Sequence, residues 1–383
     1  MNGIHPVAPV EIAGHCCLST LGLGDQAQAK GLLAPPAAPS RLWLKAEDAP
    51  FPYHRFPESY RDQPTAEIAV QIAEQALEVA GLSRSERRGC ALFLGSSGSS
   101  LPDGERAWST GTTGERPPMD MPGGHDDLTT SVMARLGMAG PRFHIGTACS
   151  SSANALLYGW RMVGLGKVPA ALVLGVEQYN QLSLRGFESL MLLASEAARP
   201  FDRDRDGLVL GEGLAALVLT PAGSKTAHWR LCGGASRMDI SNPTQSSPEG
   251  IADTLSAALE ETELRPVDIA AVKAHGTATP GNDRSEGIGL RRLFGSNHPP
   301  VSSIKGSLGH TLGACGAVEA SAVMAAVDHG FWPANHNFRT TDPECGLTPC
   351  QQSTPIEGGA ILLNFFGFGG NNCALLLEPP RDD

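Results

Sequence analysis

Positive charge is scarce in this sequence. Its 383 residues include 29 Lys and Arg against 40 Asp and Glu, which gives a formal net charge of −11. Because phosphate backbones are bound by clustered basic side chains, this balance argues against a nucleic-acid partner. An acidic protein partner remains compatible with it, since a local basic patch can coexist with a negative total.

Long apolar runs and paired cysteines are also missing. No uncharged apolar segment approaches the roughly 18 residues that cross a bilayer, and no charged-then-apolar leader opens the chain. We therefore expect a cytoplasmic protein without a membrane span. None of the nine cysteines forms a C-x-x-C pair, so we expect no metal site. The phosphate-binding patterns G-x-G-x-x-G and GK[ST] are absent, which argues against a nucleotide cofactor.

The apolar segments that are present predict an α/β protein of two similar halves. Apolar stretches typical of buried strands recur along the chain, at 10–18, 91–95, 142–145, 170–175, 214–219, 268–274, 360–364 and 374–377. Helical patterns occupy 65–80, 128–136, 153–165 and 315–327. Strand, sharp turn and buried helix recur on both sides of about residue 221, so we predict one half over 1–220 and another over 221–383. The Gly-, Ser-, Thr- and Pro-rich segment 96–124 is predicted to be a long irregular excursion.

One cysteine lies where a nucleophile would be expected. Cys149 follows the strand at 142–145 and precedes the apolar helix at 153–165, with small residues on either side. A cysteine attacks as its thiolate, and the N-terminus of a helix stabilises that negative charge. The alternative is a structural cysteine buried in a tight turn, which is the common role of an arbitrary cysteine.

Two histidines and a glycine-rich turn could complete such a site. His275 follows the strand at 268–274, at the position where α/β ligand sites lie, and His310 precedes the small-residue helix at 315–327. Each histidine alone is more often a hydrogen-bonded structural residue. The turn at 365–372 can present backbone N–H groups to an oxyanion, or it can be a hairpin without a ligand.

Five segments together resemble a known family. Residues 146–152 read Gly-Thr-Ala-Cys-Ser-Ser-Ser, and the others lie at 200–213, 275–280, 305–314 and 367–372. In order and separation they resemble the elongating β-ketoacyl-acyl carrier protein (ACP) synthases. The resemblance implies the thiolase fold, in which two βαβαβαβ-type halves form five layers. It also implies a homodimer, or a heterodimer with a synthase-like paralogue, paired through the strand before the nucleophile.

The resemblance assigns a role to each matching residue. Cys149 is expected to accept an acyl group from the phosphopantetheine arm of an acyl carrier protein, without any further cofactor. The backbone N–H groups of Cys149 and Phe368 are expected to hold the oxyanion. His275 and His310 are expected to hydrogen-bond the malonyl thioester oxygen. Lys305 is expected to orient His310, with Glu319 as its charge partner. Substrate-side residues are expected at Thr277, Thr279, Glu319 and Gly369.

Carrier docking and the subgroup are the remaining expectations. Arg205 and, less directly, Arg61 are expected to dock the acidic carrier; alternatively, Arg205 pairs with Asp204 or Asp206 on a solvated face. Residues 281–283 and 371–372 resemble synthases of aryl polyene or related pigments. Two rival functions share the fold: a non-catalytic partner of the chain-length-factor type, and a thiolase acting on CoA esters. Retention of Cys149 argues against the first and the His310 segment against the second.

Overall fold

The computed structural model describes residues 7–43, 50–99, 101–110, 125–223, 229–356 and 358–380. Strands of the first half are β1 Val10–Ser19, β2 Gly22–Leu23, β3 Ser40–Leu42, β4 Phe51–His54, β5 Ala91–Gly95, β6 Arg142–Ile145, β7 Ala171–Glu177, β8 Leu210–Gly211 and β9 Gly213–Pro221. Its helices are α1 Asp25–Leu33, α2 Glu58–Arg61, α3 Thr65–Val79, α4 Arg84–Gly89, α5 Leu101–Thr110, α6 His125–Leu136, α7 Ser151–Gly164 and α8 Gln181–Ser189.

The second half has fewer and longer elements. Its strands are β10 Trp229–Met238, β11 Ile269–Lys273, β12 Val301–Ser302, β13 Ala360–Gly367 and β14 Asn371–Glu378. Its helices are α9 Pro248–Glu260, α10 Pro280–Phe294, α11 Lys305–Leu308 and α12 Cys315–Asp328. Among the described residues, no helix is long and apolar enough to cross a membrane.

The order of the strands shows that the two halves are alike. From its edge to the centre, the first half runs β6-β5-β7-β9-β1, and the second runs β12-β11-β13-β14-β10. In both, the first strand in sequence is central, the last is next to it, and the outer pairs are parallel. The halves meet where β1 pairs with β10 at residues 10–12. The predicted repeat is therefore present, whereas the domain boundary at 220 stays a prediction.

Helices α7 and α12 form the central layer between the two halves. One hydrophobic cluster joins them to strands of both halves, including β7, β9, β13 and β14. A second cluster packs α3 and α6 on the far face of the first half, and a third packs α9 and α10 on the far face of the second. These five layers are those of the thiolase fold, as the resemblance implies. Because helices cover both faces of the sheet, β7 is buried along its whole length and β9 up to Thr220, without the alternate exposure of a sheet that has one solvated face.

The two central helices approach to backbone contact. A Cβ atom added at Gly316 on α12 would lie 2.0 Å from the backbone nitrogen of Ala153 on α7. The hydroxyl of Ser152 also accepts a hydrogen bond from the N–H of Ala317, at 3.1 Å. The small-residue sequence of α12 therefore allows the two helices to approach this closely.

One prediction about the chain's organisation is wrong in part. The segment 96–124 was expected to be irregular, but α5 is helical from Leu101 to Thr110. Pro102 is compatible with the first helical turn, and Glu105, Arg106 and Ala107 are good helix formers. The Gly, Ser, Thr and Pro content of the whole segment outweighs these few helix-forming residues, so the helix was not predicted. Residues 100 and 111–124 of the prediction lie outside the described ranges.

Replacing Gly316 with Ala tests the contact between α7 and α12. The variant is expected to lose about 1–3 kcal/mol of stability, because the new methyl group meets backbone atoms that cannot change rotamer. Gly186 within α8 is the matched control, since nothing lies within 4 Å of a Cβ atom added there. Gly186→Ala should be neutral or stabilising by up to about 1 kcal/mol. Equal thermal unfolding midpoints for the two variants would contradict the close helix crossing.

Candidate active site

Cys149 lies at a strained elbow between β6 and α7. The 3-10 turn Ala148–Ser150 leads directly into α7, and Ala148 has a left-handed φ of 50°. The Ser151 hydroxyl accepts from the N–H of Thr147 at 2.9 Å and donates to the carbonyl of Ala148 at 2.6 Å. These bonds hold the turn that places Cys149 at the wall of a cavity, with only 5% of the residue exposed.

The Cys149 sulfur is a thiol at rest. Burial raises its pKa to about 12, although the charge of Lys305 and the N–H of Phe368 act in the opposite direction. The expectation that the helix terminus would favour a thiolate is therefore wrong for the resting site. The cost of placing a negative charge in a dry environment exceeds what the nearby dipoles supply.

The two histidines lie beside each other in the same cavity. His275 follows β11, and His310 precedes the 3-10 turn Leu312–Ala314 that leads into α12. Their ring centroids are 5.4 Å apart with the rings almost perpendicular, and both line the cavity with Cys149. The structure thus brings together the three residues on which the sequence interpretation depends.

The hydrogen bonds of His310 fix its tautomer. The backbone N–H of Leu312 donates to Nδ1 at 3.2 Å, and Cys315 Sγ lies 3.1 Å from the same nitrogen. Burial raises the pKa of Cys315, so its sulfur is a thiol that can donate to Nδ1. Since Nδ1 accepts, the proton of the neutral ring is on Nε2.

His275 has the same tautomer for a different reason. Its Nδ1 lies 3.4 Å from the ammonium group of Lys305, which can only donate. Burial lowers the pKa of His275 well below its ordinary value, and Lys305 lowers it further. Burial and Lys305 act in the same direction on His310. Both rings are therefore neutral and carry their proton on Nε2.

Lys305 and Glu319 form a buried ion pair. Lys305 Nζ donates to Glu319 Oε1 at 2.5 Å, which matches the predicted pairing. Burial opposes the ammonium charge, but the charge and hydrogen bond of Glu319, together with other nearby groups, act in the opposite direction, and the pKa of Lys305 is raised. The expectation that Lys305 orients His310 is wrong, because its ring contact is with His275. Glu319 was also expected on the substrate side; it does not line the cavity and instead holds Lys305.

Four supporting residues were missed in the sequence. Glu286 accepts the backbone N–H groups of His275 and Gly276, each at 2.7 Å, and so holds the turn after β11. Glu177 accepts the N–H of Gly313, and burial raises the pKa of its carboxyl group to about 7. For Lys273, Glu177 and Glu286, the local signal is a charged residue within an apolar or small-residue stretch, whereas Cys315 has no such signal. The four are Lys273, Glu177, Glu286 and Cys315.

The cavity itself has a polar side and an apolar side. Its volume is about 200 Å³. Thr277 and Thr279 line the polar side, with their hydroxyl oxygens 2.9 Å apart. The apolar side is formed by Phe187, Leu190, Leu192 and Leu208. The two threonines therefore line the same cavity as Cys149, and their substrate-binding role stays a prediction.

The glycine-rich turn brings a backbone donor to the sulfur. The N–H of Phe368 hydrogen-bonds Cys149 and lowers its pKa, as expected of an oxyanion donor. Gly369 was expected to bind substrate, but it lies outside the cavity lining and its N–H donates to the carbonyl of Pro243 at 2.7 Å. Its left-handed φ of 79° instead turns the chain after Phe368.

The docking role expected of Arg205 is wrong. Only 4% of its side chain is exposed, and the guanidinium pairs with Asp342 at 2.6 Å. It also donates to the carbonyls of Asp202 and Pro280. The alternative pairing with Asp204 or Asp206 is not what the structure shows either, because the partner lies 137 positions away. Arg61 is half-buried on a separate cavity, and its docking role stays a prediction.

Arg205→Glu is therefore expected to damage the fold rather than docking. Breaking a buried pair by removing one partner costs about 3–5 kcal/mol. Arg203→Glu is the matched control, because 57% of that side chain is exposed and its partner Asp204 is exposed too. Thermal unfolding should show a large loss for Arg205→Glu and almost none for Arg203→Glu. A stable Arg205→Glu protein would contradict the buried position.

Comparisons with known proteins identify the family of this chain. The family described as "Beta-ketoacyl synthase, N-terminal domain" matches residues 46–224, and "Beta-ketoacyl synthase, C-terminal domain" matches residues 231–339. The chain is 36% identical over 261 residues to 3-oxoacyl-[acyl-carrier-protein] synthase 2 of Synechocystis sp., covering 63% of this chain but only 62% of that relative. It is 32% identical over 332 residues to nodulation protein E of Rhizobium leguminosarum bv. trifolii, covering 80% of each.

Solved structures show the same likeness over nearly the whole chain. A beta-ketoacyl synthase from Burkholderia phymatum superimposes with a TM-score of 0.86 and 28% identity, covering 98% of this chain and 100% of the other. A ketosynthase in complex with its chain length factor from Xenorhabdus doucetiae superimposes with a TM-score of 0.83 and 26% identity, covering 99% of this chain and 100% of the other. With the five-layer fold and the Cys149, His275 and His310 cavity, these matches show that the chain belongs to the β-ketoacyl synthase family.

Proposed function

We propose that the chain is a β-ketoacyl-ACP synthase. It transfers an acyl group to Cys149 and condenses that group with a malonyl thioester on an acyl carrier protein, releasing carbon dioxide. The observation that carries this proposal is the meeting of one thiol and two neutral Nε2–H imidazoles in a single cavity. Such a set supplies a nucleophile and two hydrogen-bond donors, and none of the described residues that line the cavity is Asp or Glu.

Acyl transfer is the first half-reaction. The Cys149 sulfur attacks the thioester carbonyl carbon of the acyl carrier, and the pantetheine sulfur leaves. Because the pKa of Cys149 is raised to about 12, its proton leaves as the new bond forms and passes to the departing sulfur. The N–H groups of Phe368 and Cys149 stabilise the oxyanion of the tetrahedral intermediate.

Decarboxylation is the second half-reaction. The bond between the malonyl carboxylate and its α-carbon breaks, and the electron pair moves into an enolate of the thioester. The Nε2–H groups of His275 and His310 donate to the developing enolate oxygen. The enolate carbon then attacks acyl-Cys149, the Cys149 sulfur leaves as a thiolate, and it takes a proton from the solvent to replace the one given to the first pantetheine sulfur. The product is a β-ketoacyl thioester extended by two carbons.

The cavity walls fit the parts of these substrates. Thr277 and Thr279 present hydroxyls where the pantetheine amides would pass, and the apolar side suits an aliphatic chain. Neither feature specifies a pathway. Asn371 and Asn372, part of the pigment-type resemblance, bond to the Phe368 carbonyl and the Ser246 hydroxyl and so support the turn. Membership of the aryl polyene subgroup stays a prediction.

A second subunit is part of the proposal. Among the described strands, β6 stands at one end of the sheet order, and its first two residues are exposed. A strand at the end of a sheet can be extended by pairing with another chain. The related Xenorhabdus doucetiae ketosynthase is in complex with a chain length factor. We infer that β6 pairs with a second copy of this chain or with a synthase-like paralogue.

Substitution of each histidine should separate the two half-reactions. His275→Ala and His310→Ala should each lower carbon dioxide release from malonyl-carrier protein by about 10²–10³-fold, the usual effect of losing one oxyanion donor. Acylation of Cys149 should remain measurable by intact-protein mass spectrometry, because the histidines do not stabilise that oxyanion.

Cys149→Ala is the control for the same assay. It should carry no acyl group on any of the eight remaining cysteines, one fewer than the nine of the native chain, and should form no condensed product. Normal carbon dioxide release by both histidine variants would contradict the proposed roles. Acylation and elongation by Cys149→Ala would contradict the whole function.

A further inference from the structure

Lys273 is a buried lysine that has no role in either of the two half-reactions. It is the last residue of β11 and is fully buried. Its ammonium group donates to Glu319 Oε2 at 2.5 Å and to the carbonyl of Asn364 at 2.7 Å, and lies 3.6 Å from the centroid of the Phe365 ring. A buried ammonium is costly unless it is fully partnered. These three contacts hold Lys273 in one position.

Lys273 and Lys305 divide the two oxygens of Glu319 between them. Lys273 bonds Oε2 and Lys305 bonds Oε1, each at 2.5 Å. Because Oε2 is occupied, Lys305 has only one carboxylate oxygen to bond. Its next acceptor is Nδ1 of His275 at 3.4 Å. The contact that fixes the His275 tautomer therefore depends on how Glu319 is shared.

We propose that Lys273 is a positioning residue for decarboxylation: by occupying Glu319 Oε2, it keeps Lys305 against Nδ1 of His275. This inference rests on the proposed function. Without Lys273, the Glu319 carboxylate is free to turn both oxygens to Lys305 and draw its ammonium away from the ring. His275 would then lose the neighbour that keeps its proton on Nε2, where the enolate needs a donor. Acylation of Cys149 does not depend on that donor.

The pH dependence of decarboxylation can distinguish a role of the Lys273 charge from a role of its side chain in packing alone. The titratable groups around it are Lys305 from α11, Glu319 and Cys315 from α12, Cys373 from β14, and His275 and His310 beyond them. Burial lowers the pKa of Lys273 to about 8, although Glu319 opposes the change. The ammonium is therefore present below about pH 8 and is lost above it. Decarboxylation by the native protein should fall through that range.

The test is Lys273→Met, assayed for both half-reactions across pH. Met keeps an unbranched apolar stem against Phe365 and removes only the ammonium. At pH 7, carbon dioxide release should fall about tenfold or more, the usual loss when an orienting partner is removed, while Cys149 acylation stays within about twofold. The fall in release through about pH 8 should be present in the native protein and absent from the variant.

Arg55→Met is the matched control, because Arg55 also pairs with a buried carboxylate, that of Glu212. It should leave the ratio of the two half-reactions and the pH profile unchanged. Release by Lys273→Met at the native rate, or an equal proportional loss of both half-reactions, overturns the inference. If Lys273→Met does not fold, the pH dependence of carbon dioxide release by the native protein decides. A release rate that stays constant from pH 7 to 9 overturns the inference. A native protein inactive in both half-reactions would instead contradict the proposed function.

Discussion

The backbone contact between α7 and α12 is the constraint on which the site depends. Cys149 lies immediately before α7 and His310 shortly before α12, so the crossing of these helices near their N-termini brings sulfur and imidazole into one cavity. The contact requires Gly316, whose missing side chain leaves room for the backbone of Ala153. Cys149 and His310 are also buried at this crossing, with 5% and 2% of each residue exposed. The geometry and the burial of the site thus depend on the same packing.

Burial then determines the protonation state of each titratable group in the site. Burial disfavours charge, so Cys149 stays a thiol and both histidines stay neutral. The lysine ammonium charges persist because Glu319 is divided between them. Neutral imidazoles with a fixed proton are donors rather than bases, which is what an enolate oxygen requires. Burial and hydrogen bonding of the described residues account for this state.

The sequence predicted the elements next to Cys149 and His310, but it missed β10, α9 and α10 and the long-range pairings. Buried strands, the elbow at Cys149 and the small-residue helix after His310 have local patterns, and the structure contains all of them. The partners of charged groups have no local pattern: Arg205 pairs with Asp342, and Lys305 lies against His275 rather than against its nearer neighbour His310. The thiolate expectation for Cys149 was wrong for a related reason, because a helix start is visible in sequence and the depth of burial is not.

The central claim is that His275 and His310 are neutral donors with their proton on Nε2. Nitrogen-15 NMR of histidine-labelled protein tests it directly, with His275→Ala and His310→Ala identifying the two rings among the 11 histidines. We predict shifts of a protonated Nε2 and an unprotonated Nδ1 in both rings, with no titration from about pH 6 to 8, the range in which an ordinary histidine changes charge. Titration of either ring in that range, or a proton on either Nδ1, would contradict the account.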